Sequence, residues 1–204
     1  MKVVAIIQAR MGSTRLPNKV MMKINHIPMI ELLIDRLSNS KYIDQIVVAT
    51  SNNKNNTPLI NHVESLGYKV FSGEENDVLD RYFRAAKTFK ANAIIRITGD
   101  CPLIDSFLVD ELIKGFIDSN ADYASNREPP TYPDGLDVEV ISIKALEDAH
   151  KKAKEDFQRE HVTPYIINSD IYKKFYLKNS KDFSTERWTV DEPEDFTIVQ
   201  NIFN

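Results

Sequence analysis

Val3-Val4-Ala5-Ile6-Ile7, running straight into Gln8-Ala9-Arg10-Met11-Gly12-Ser13-Thr14-Arg15-Leu16-Pro17-Asn18-Lys19, is the stretch from which the rest of the chain can be read. A continuous, β-branched-rich apolar run has no polar face, so it predicts a strand buried on both sides, as in parallel sheets. The run is too short for a signal-peptide core or a membrane span and is closed by Gln8 and Arg10, so a cytoplasmic protein without membrane attachment is expected. The polar loop then falls at the carboxyl end of the first strand, where doubly wound sheets bind their ligands.

Working outward, Pro28 opens a helix with Met29, Leu33 and Leu37 on one side, and residues 45–50 read as a second buried strand, completing a βαβ unit. Thr57-Pro58 starts the next helix, with Leu59, Val63 and Leu66 as its stripe, Gly67 as its left-handed C-cap and a strand over 68–71 beyond it. Residues 77–90 carry Val78, Tyr82, Ala85, Ala86 and Phe89 at helical spacing, and 93–98 is another apolar strand. Asp105 caps a helix that runs to Asp118 with Leu108, Leu112 and Phe116 as its stripe; Gly115 lies on another face, where close packing and mere tolerance are both open. The second half is less regular: short strand-like runs at 121–124 and 174–177, a Pro-rich loop over 126–135, a strand over 138–142, mostly helix over 144–163, and a terminal helix from Pro193. The pattern predicts an α/β fold in three αβα layers, with a doubly wound, mostly parallel but mixed sheet of six or seven strands.

The chain's 204 residues make one domain over 1–204 the expectation, and 42% hydrophobic with 27% charged residues excludes a disordered or collagenous chain. A formal charge of −4 argues against a nucleic-acid binder, which needs a basic face, but leaves room for a local anion site. The single cysteine, Cys101, cannot form an internal disulfide, and no Cys/His cluster exists for structural zinc.

Three loops carry candidate chemistry. The 8–19 loop places Arg10, Arg15 and Lys19, a glycine and two hydroxyls after a buried strand, a set suited to a polyphosphate. Thr98-Gly99-Asp100-Cys101-Pro102-Leu103-Ile104-Asp105 offers Asp100 to a hard divalent cation, while Asp105 serves the next helix; a metal-free Gly-Asp turn is the plainer alternative. In Arg187-Trp188-Thr189-Val190-Asp191-Glu192-Pro193-Glu194-Asp195, the later acids suit a helix N-terminus, which leaves Asp191 as a second candidate carboxylate.

These three blocks, in this order, resemble the cytidylyltransferases that make CMP-activated acidic sugars. Asp-Val-Leu-Asp-Arg-Tyr at 77–82 and Arg-Glu-His-Val-Thr-Pro-Tyr at 159–165 are similar to the spore coat polysaccharide (SpsF-type) branch. The resemblance implies a Rossmann-like nucleotidyltransferase fold and a CTP whose triphosphate is cradled by the 8–19 loop. Arg10, Arg15 and Lys19 would lie on phosphate oxygens, Gln8, Ala9, Gly12, Ser13, Thr98 and Gly99 around the nucleotide, and Asp77 and Arg81 near it, unless Arg81 is merely a surface helix ion pair. Asp100 and Asp191 would hold Mg²⁺, with Arg10, Arg15, Lys19 and Asp100 as the catalytic set. An acceptor oxygen would attack the α-phosphorus in line and displace pyrophosphate. The family also implies a homodimer.

For the small-molecule acceptor, Asp137 and Glu139 share one strand face opposite Val138 and Val140, so they line the cleft or face solvent. Arg159, Glu160 and His161 are either an ordinary helix start or acceptor-recognition and proton-shuttle residues. His26, His62 and His150 read as surface residues, Trp188 as core, and Cys101 as a buried small residue. Two alternatives stand beside the transferase: a glycosyltransferase of related fold, disfavoured because the chain lacks Asp-x-Asp, and a non-catalytic nucleotide-binding protein.

Overall fold

The computed structural model describes residues 1–203. The strands are β1 (Val3–Gln8), β2 (Lys23–Ile24), β3 (Ile27–Pro28), β4 (Gln45–Ser51), β5 (Lys69–Gly73), β6 (Ala93–Thr98), β7 (Tyr123–Ser125), β8 (Glu139–Ser142) and β9 (Lys174–Tyr176). The α-helices are α1 (Met29–Leu37), α2 (Thr57–Ser65), α3 (Val78–Thr88), α4 (Ser106–Asp118), α5 (Ile143–Lys152), α6 (Asp156–His161), α7 (Pro164–Ile167) and α8 (Pro193–Phe203). Seven strands form one sheet in the order β5-β4-β1-β6-β8-β7-β9, and β2 pairs with β3 in a small separate hairpin. Only β8 runs against the others: it is antiparallel to both β6 and β7, whereas β1, β4, β5 and β6 are mutually parallel and β9 follows β7. This is the expected doubly wound mixed sheet, with the chain leaving β1 toward β4 on one side and returning to β6 on the other.

Alternation along β1 sorts the two cores. Val3, Ala5 and Ile7 pack with α1, α2, α4 and α8, while Val4 and Ile6 pack with α3, α5 and α7. All five side chains are buried, which is why the run carries no polar position. Gly115 of α4 meets the ring of Phe175 on β9 so closely that a Cβ there would collide with it, so close packing is its role.

One expectation gains a break and another needs correction. The stretch 144–163 is mostly helical as expected, but as two helices: α5 ends at Lys152, Ala153 and Glu155 are extended, and a Glu155/Gln158 capping box starts α6, with Pro164 starting α7 just beyond. His62 and His150 are not free surface residues. His62 Nε2 lies 2.9 Å from Glu31 Oε2, tying α2 to α1, and His150 stacks on Phe83 at 4.3 Å with its Nε2 2.9 Å from Asp80 Oδ1, tying α5 to α3.

Candidate active site

β1 and β6 are adjacent parallel strands from which the chain departs in opposite directions, so a crevice opens beyond Gln8 and Thr98, which are register partners. The Gly99 N–H donates to the Gln8 carbonyl at 2.8 Å, and a Cβ at Gly99 would stand 2.9 Å from that of Ala9. Only glycine lets the two loops meet this closely. Asn56 ties down the first loop from the next crossover: its Oδ1 accepts from the Met11 N–H at 2.8 Å, and its Nδ2 donates to Ser51. The third loop joins the second through the Val190 N–H, which donates to the Asp100 carbonyl at 2.8 Å.

Lys19 gathers all three loops. Its Nζ donates to Asp100 Oδ2 at 2.9 Å, Asp191 Oδ1 at 2.8 Å and the Val190 carbonyl at 2.8 Å. Arg15 also reaches Asp191 Oδ1 at 2.9 Å. Arg187, which the sequence reading left without a role, donates to Asp191 Oδ2 at 3.0 Å, spans both oxygens of Asp195 and reaches Asp134 at 2.6 Å. No local signal announces these pairs, because 187–192 is not helical and a four-residue spacing brings side chains together only on a helix. Asp195 in turn accepts from the Asp191 and Glu192 N–H groups, fixing the turn that aims Asp191. Burial pulls the Asp191 carboxyl up, but Lys19, Arg187 and Arg15 outweigh it and hold it below the usual carboxylate range. Around this cluster lies a cleft of about 240 Å³ lined by Arg10, Ser13, Arg15, Lys19, Thr98, Gly99, Asp100 and Asp191 among others.

A second hollow of about 570 Å³ shares Gln8 and Arg10 with the first and adds Glu75, Asp77, Arg81, Arg159 and Glu160. Arg10 pairs with Glu75 at 3.1 Å, a partner not anticipated from sequence. Arg81 is no surface ion pair: it is 2% exposed, donates to the carbonyls of Glu74 and Glu75 at 2.6 and 3.3 Å, and its Nε has no partner. Burial lowers its basicity. Gln8 likewise leaves a buried Oε1 unpaired.

The expected acceptor residues do not gather at one place. Glu139 neither lines the cleft nor faces solvent. It is 2% exposed, paired with Arg96 at 2.5 Å and accepting from Tyr123 Oη at 2.6 Å, because the face it shares with Asp137 is covered by the α3 and α5 layer. Burial would raise its pKa, but Arg96 and Tyr123 bring it below the ordinary value. Asp137 is half-buried, 3.4 Å from Arg127, and burial pushes its carboxyl up to about 6 against that guanidinium. Arg159 and Glu160 belong to the second hollow with Gln8 and Arg10, and Arg159 grips Asp77 with two nitrogens. His161 is exposed. Burial and the Asp100 charge raise the Cys101 thiol, which suits a packed residue and not a nucleophile.

For a divalent cation, the fitting observation is that the Asp100 and Asp191 carboxylates meet at one point, Lys19 Nζ, with Arg15 and Arg187 also on Asp191. No cluster of three or more metal-ligating side chains occurs among the described residues. Two carboxylates completed by phosphate oxygens and water are the donor set Mg²⁺ takes in phosphoryl chemistry. No helix among the described residues is long and apolar enough to cross a membrane.

The family model described as Cytidylyltransferase matches residues 4–202. The spore coat polysaccharide biosynthesis protein SpsF of Bacillus subtilis is 34% identical over 97% of this chain and 85% of its own length. An uncharacterised protein of Methanocaldococcus jannaschii is 43% identical over 97% of this chain and 82% of its own. The solved structure of a cytidylyltransferase from Leptospira borgpetersenii superposes with a TM-score of 0.94 at 34% identity, covering 98% of this chain and 85% of that one. Matches of this breadth displace both the glycosyltransferase and the non-catalytic alternatives. With the crevice at the β1/β6 switch point and three cation- and carboxylate-bearing loops around it, the chain belongs to the cytidylyltransferase family.

Proposed function

We propose that the protein transfers CMP from CTP, with Mg²⁺, to an acidic sugar or a phosphorylated small molecule, releasing pyrophosphate, in the assembly of a cell-surface polysaccharide. The observation that carries the reading is the meeting of Lys19 and Arg15 with Asp100 and Asp191 at the carboxyl ends of β1 and β6. The polysaccharide setting rests on the SpsF relative.

In this reading the smaller cleft receives the triphosphate and the larger hollow the nucleoside. Arg10 stands where the two meet, and Arg15 and Lys19 neutralise the phosphate oxygens of the leaving pyrophosphate, with Gly12 and Ser13 giving close backbone approach. Asp100 and Asp191 would hold Mg²⁺, which supplies charge neutralisation across the triphosphate oxygens. The acceptor oxygen forms a bond to the α-phosphorus as the bond to the β-phosphate oxygen breaks, its proton passing to solvent; positioning and charge stabilisation carry the rate, with no covalent enzyme intermediate. Gln8 and Arg81 each bring an unpaired buried polar atom to the nucleoside side, an acceptor and a donor for a base edge.

Pyrophosphate release tests this: the four common nucleoside triphosphates are offered with Mg²⁺ and a panel of acidic sugars and phosphorylated acceptors. The expected result is release from CTP only, dependent on one class of acceptor. No turnover of any triphosphate, together with no CTP-dependent shift in melting temperature, would sink the reading.

A further inference from the structure

We propose that Arg159 is a positioning residue of the nucleoside hollow: through its forked ion pair with Asp77 it holds the first turn of α3, and with it Arg81, in place. The inference rests on the CTP reading above and adds to it a residue from a separate helix, 82 positions away along the chain.

The fork is geometrically complete. Arg159 Nε donates to Asp77 Oδ1 at 3.1 Å and its NH2 to Oδ2 at 2.6 Å, while NH1 donates to the His150 carbonyl at 2.7 Å. Three of its five N–H groups are thereby taken by protein acceptors, and all three of its nitrogens are engaged in holding α6 to α3 and α5. Asp77 is at the same time the N-cap of α3, accepting from the Asp80 N–H at 2.9 Å, and its carbonyl accepts from the Arg81 N–H at 3.2 Å. Whatever fixes Asp77 thus fixes the turn from which Arg81 projects into the hollow. On the far side, the Arg81 guanidinium is held by the Glu74 and Glu75 carbonyls.

α6 needs such a tie. None of its residues is buried, so apolar packing does not hold it. It is bounded by the Glu155/Gln158 capping box at its start and by Val162, fully buried with φ at +71°, just after its end. Between those anchors the Arg159–Asp77 pair is what fastens its body to α3. A planar guanidinium fork suits a carboxylate bidentately, which a lysine ammonium cannot do.

The test uses the full chain with Arg159→Gln, Arg159→Lys, Asp77→Asn and the Gln/Asn double variant; Asn keeps the helix cap because it is as good an N-cap as Asp. Hydrogen exchange without nucleotide is expected to quicken over residues 77–82 in Arg159→Gln, with the global melting temperature unmoved. KM for CTP is expected to rise about tenfold, the worth of one lost charge-assisted contact, with kcat within about twofold. Asp77→Asn should do the same, the double variant no more than either single, and Arg159→Lys should recover only part. Unchanged exchange, additive effects in the double variant, or a raised KM for the acceptor with that for CTP unmoved would overturn the proposal. Failure of the unaltered protein to use CTP would count against the functional reading instead, and the exchange experiment, which needs no nucleotide, would still decide the clamp.

Discussion

Arg96 and Asp100 lie four residues apart at the end of β6, yet the ion pairs they enter differ in kind. The Arg96–Glu139 pair is closed. Glu139 is 2% exposed, its second oxygen is taken by Tyr123, and the Arg96 guanidinium lies over the Tyr82 ring at 5.9 Å. Burial pushes the Tyr82 phenol up to about 12, so the ring stays neutral beside it. The Lys19–Asp100–Asp191 cluster is open. Asp100 is 24% exposed, the cleft reaches Lys19, and Arg15, which also binds Asp191, is largely in solvent. A buried pair with a protein partner on each carboxylate oxygen specifies the fold, even with the Arg96 Nε left unpaired; one that can exchange a partner for a ligand's charges can bind and act.

Four substitutions sharpen or break this contrast. The largest effect is expected at the open cluster: Asp100→Ala should lower CTP turnover about 10³-fold, the scale of losing one preorganised charge contact at a reacting phosphate. Its melting curve should move by less than about 1 kcal/mol, since the pair is partly solvated. Steady-state pyrophosphate release and calorimetry read both, and retained turnover would mean the carboxylate takes no part.

At the closed pair the order reverses. Glu139→Gln should cost about 3 kcal/mol of stability by leaving the Arg96 charge buried and unpaired, and should leave KM for CTP unchanged while the protein is folded. Denaturant unfolding beside kinetics separates these, and an effect on KM alone would place Glu139 at the ligand. A control away from both is Gly115→Ala, where overpacking against Phe175 should cost about 2 kcal/mol with kinetics intact.

The smallest effect belongs to Asp137, intermediate between the two environments. Its folded carboxyl titrates at about 6 against 3.8 in a free carboxyl, so the folded state binds more protons across that window and stability falls as pH rises through it. Asp137→Asn should therefore be more stable than the unaltered protein by about 1 kcal/mol at pH 7.5, after allowing for its half-exposed position, with the difference gone at pH 4. A difference independent of pH would assign the gain to something other than this carboxyl.

Much of the fold was legible because its signals are local. The five-residue apolar run, Pro28, Gly67 and the Asp105 cap each announce an element within a few positions, and the alternation of strand with helix carries the doubly wound order. The three loops were legible as sites because each follows a buried strand or precedes a helix. What joins them was not: Lys19 meets Asp100 and Asp191 across 81 and 172 residues, distances over which periodicity says nothing. Glu139 misled for a related reason. Alternation with Val138 and Val140 marks its face as different, but a face covered by α3 and α5 is not a wet one, and its partner Arg96 comes from a strand pairing that no local pattern reveals. Arg159 and Glu160 were recognisable as a motif but not placeable, since the break at Ala153 to Glu155 turns α6 toward α3 and the nucleoside hollow.

The open cluster, and not the closed one, is expected to bind the nucleotide. Isothermal titration of CTP with Mg²⁺ into the unaltered protein, Lys19→Met and Glu139→Gln, at a temperature where all three are folded, tests it directly. Lys19→Met is expected to lose at least about tenfold in affinity, one charge-assisted phosphate contact, and Glu139→Gln to change by no more than about twofold. Equal affinity in Lys19→Met and the unaltered protein, or a loss confined to Glu139→Gln, would contradict it.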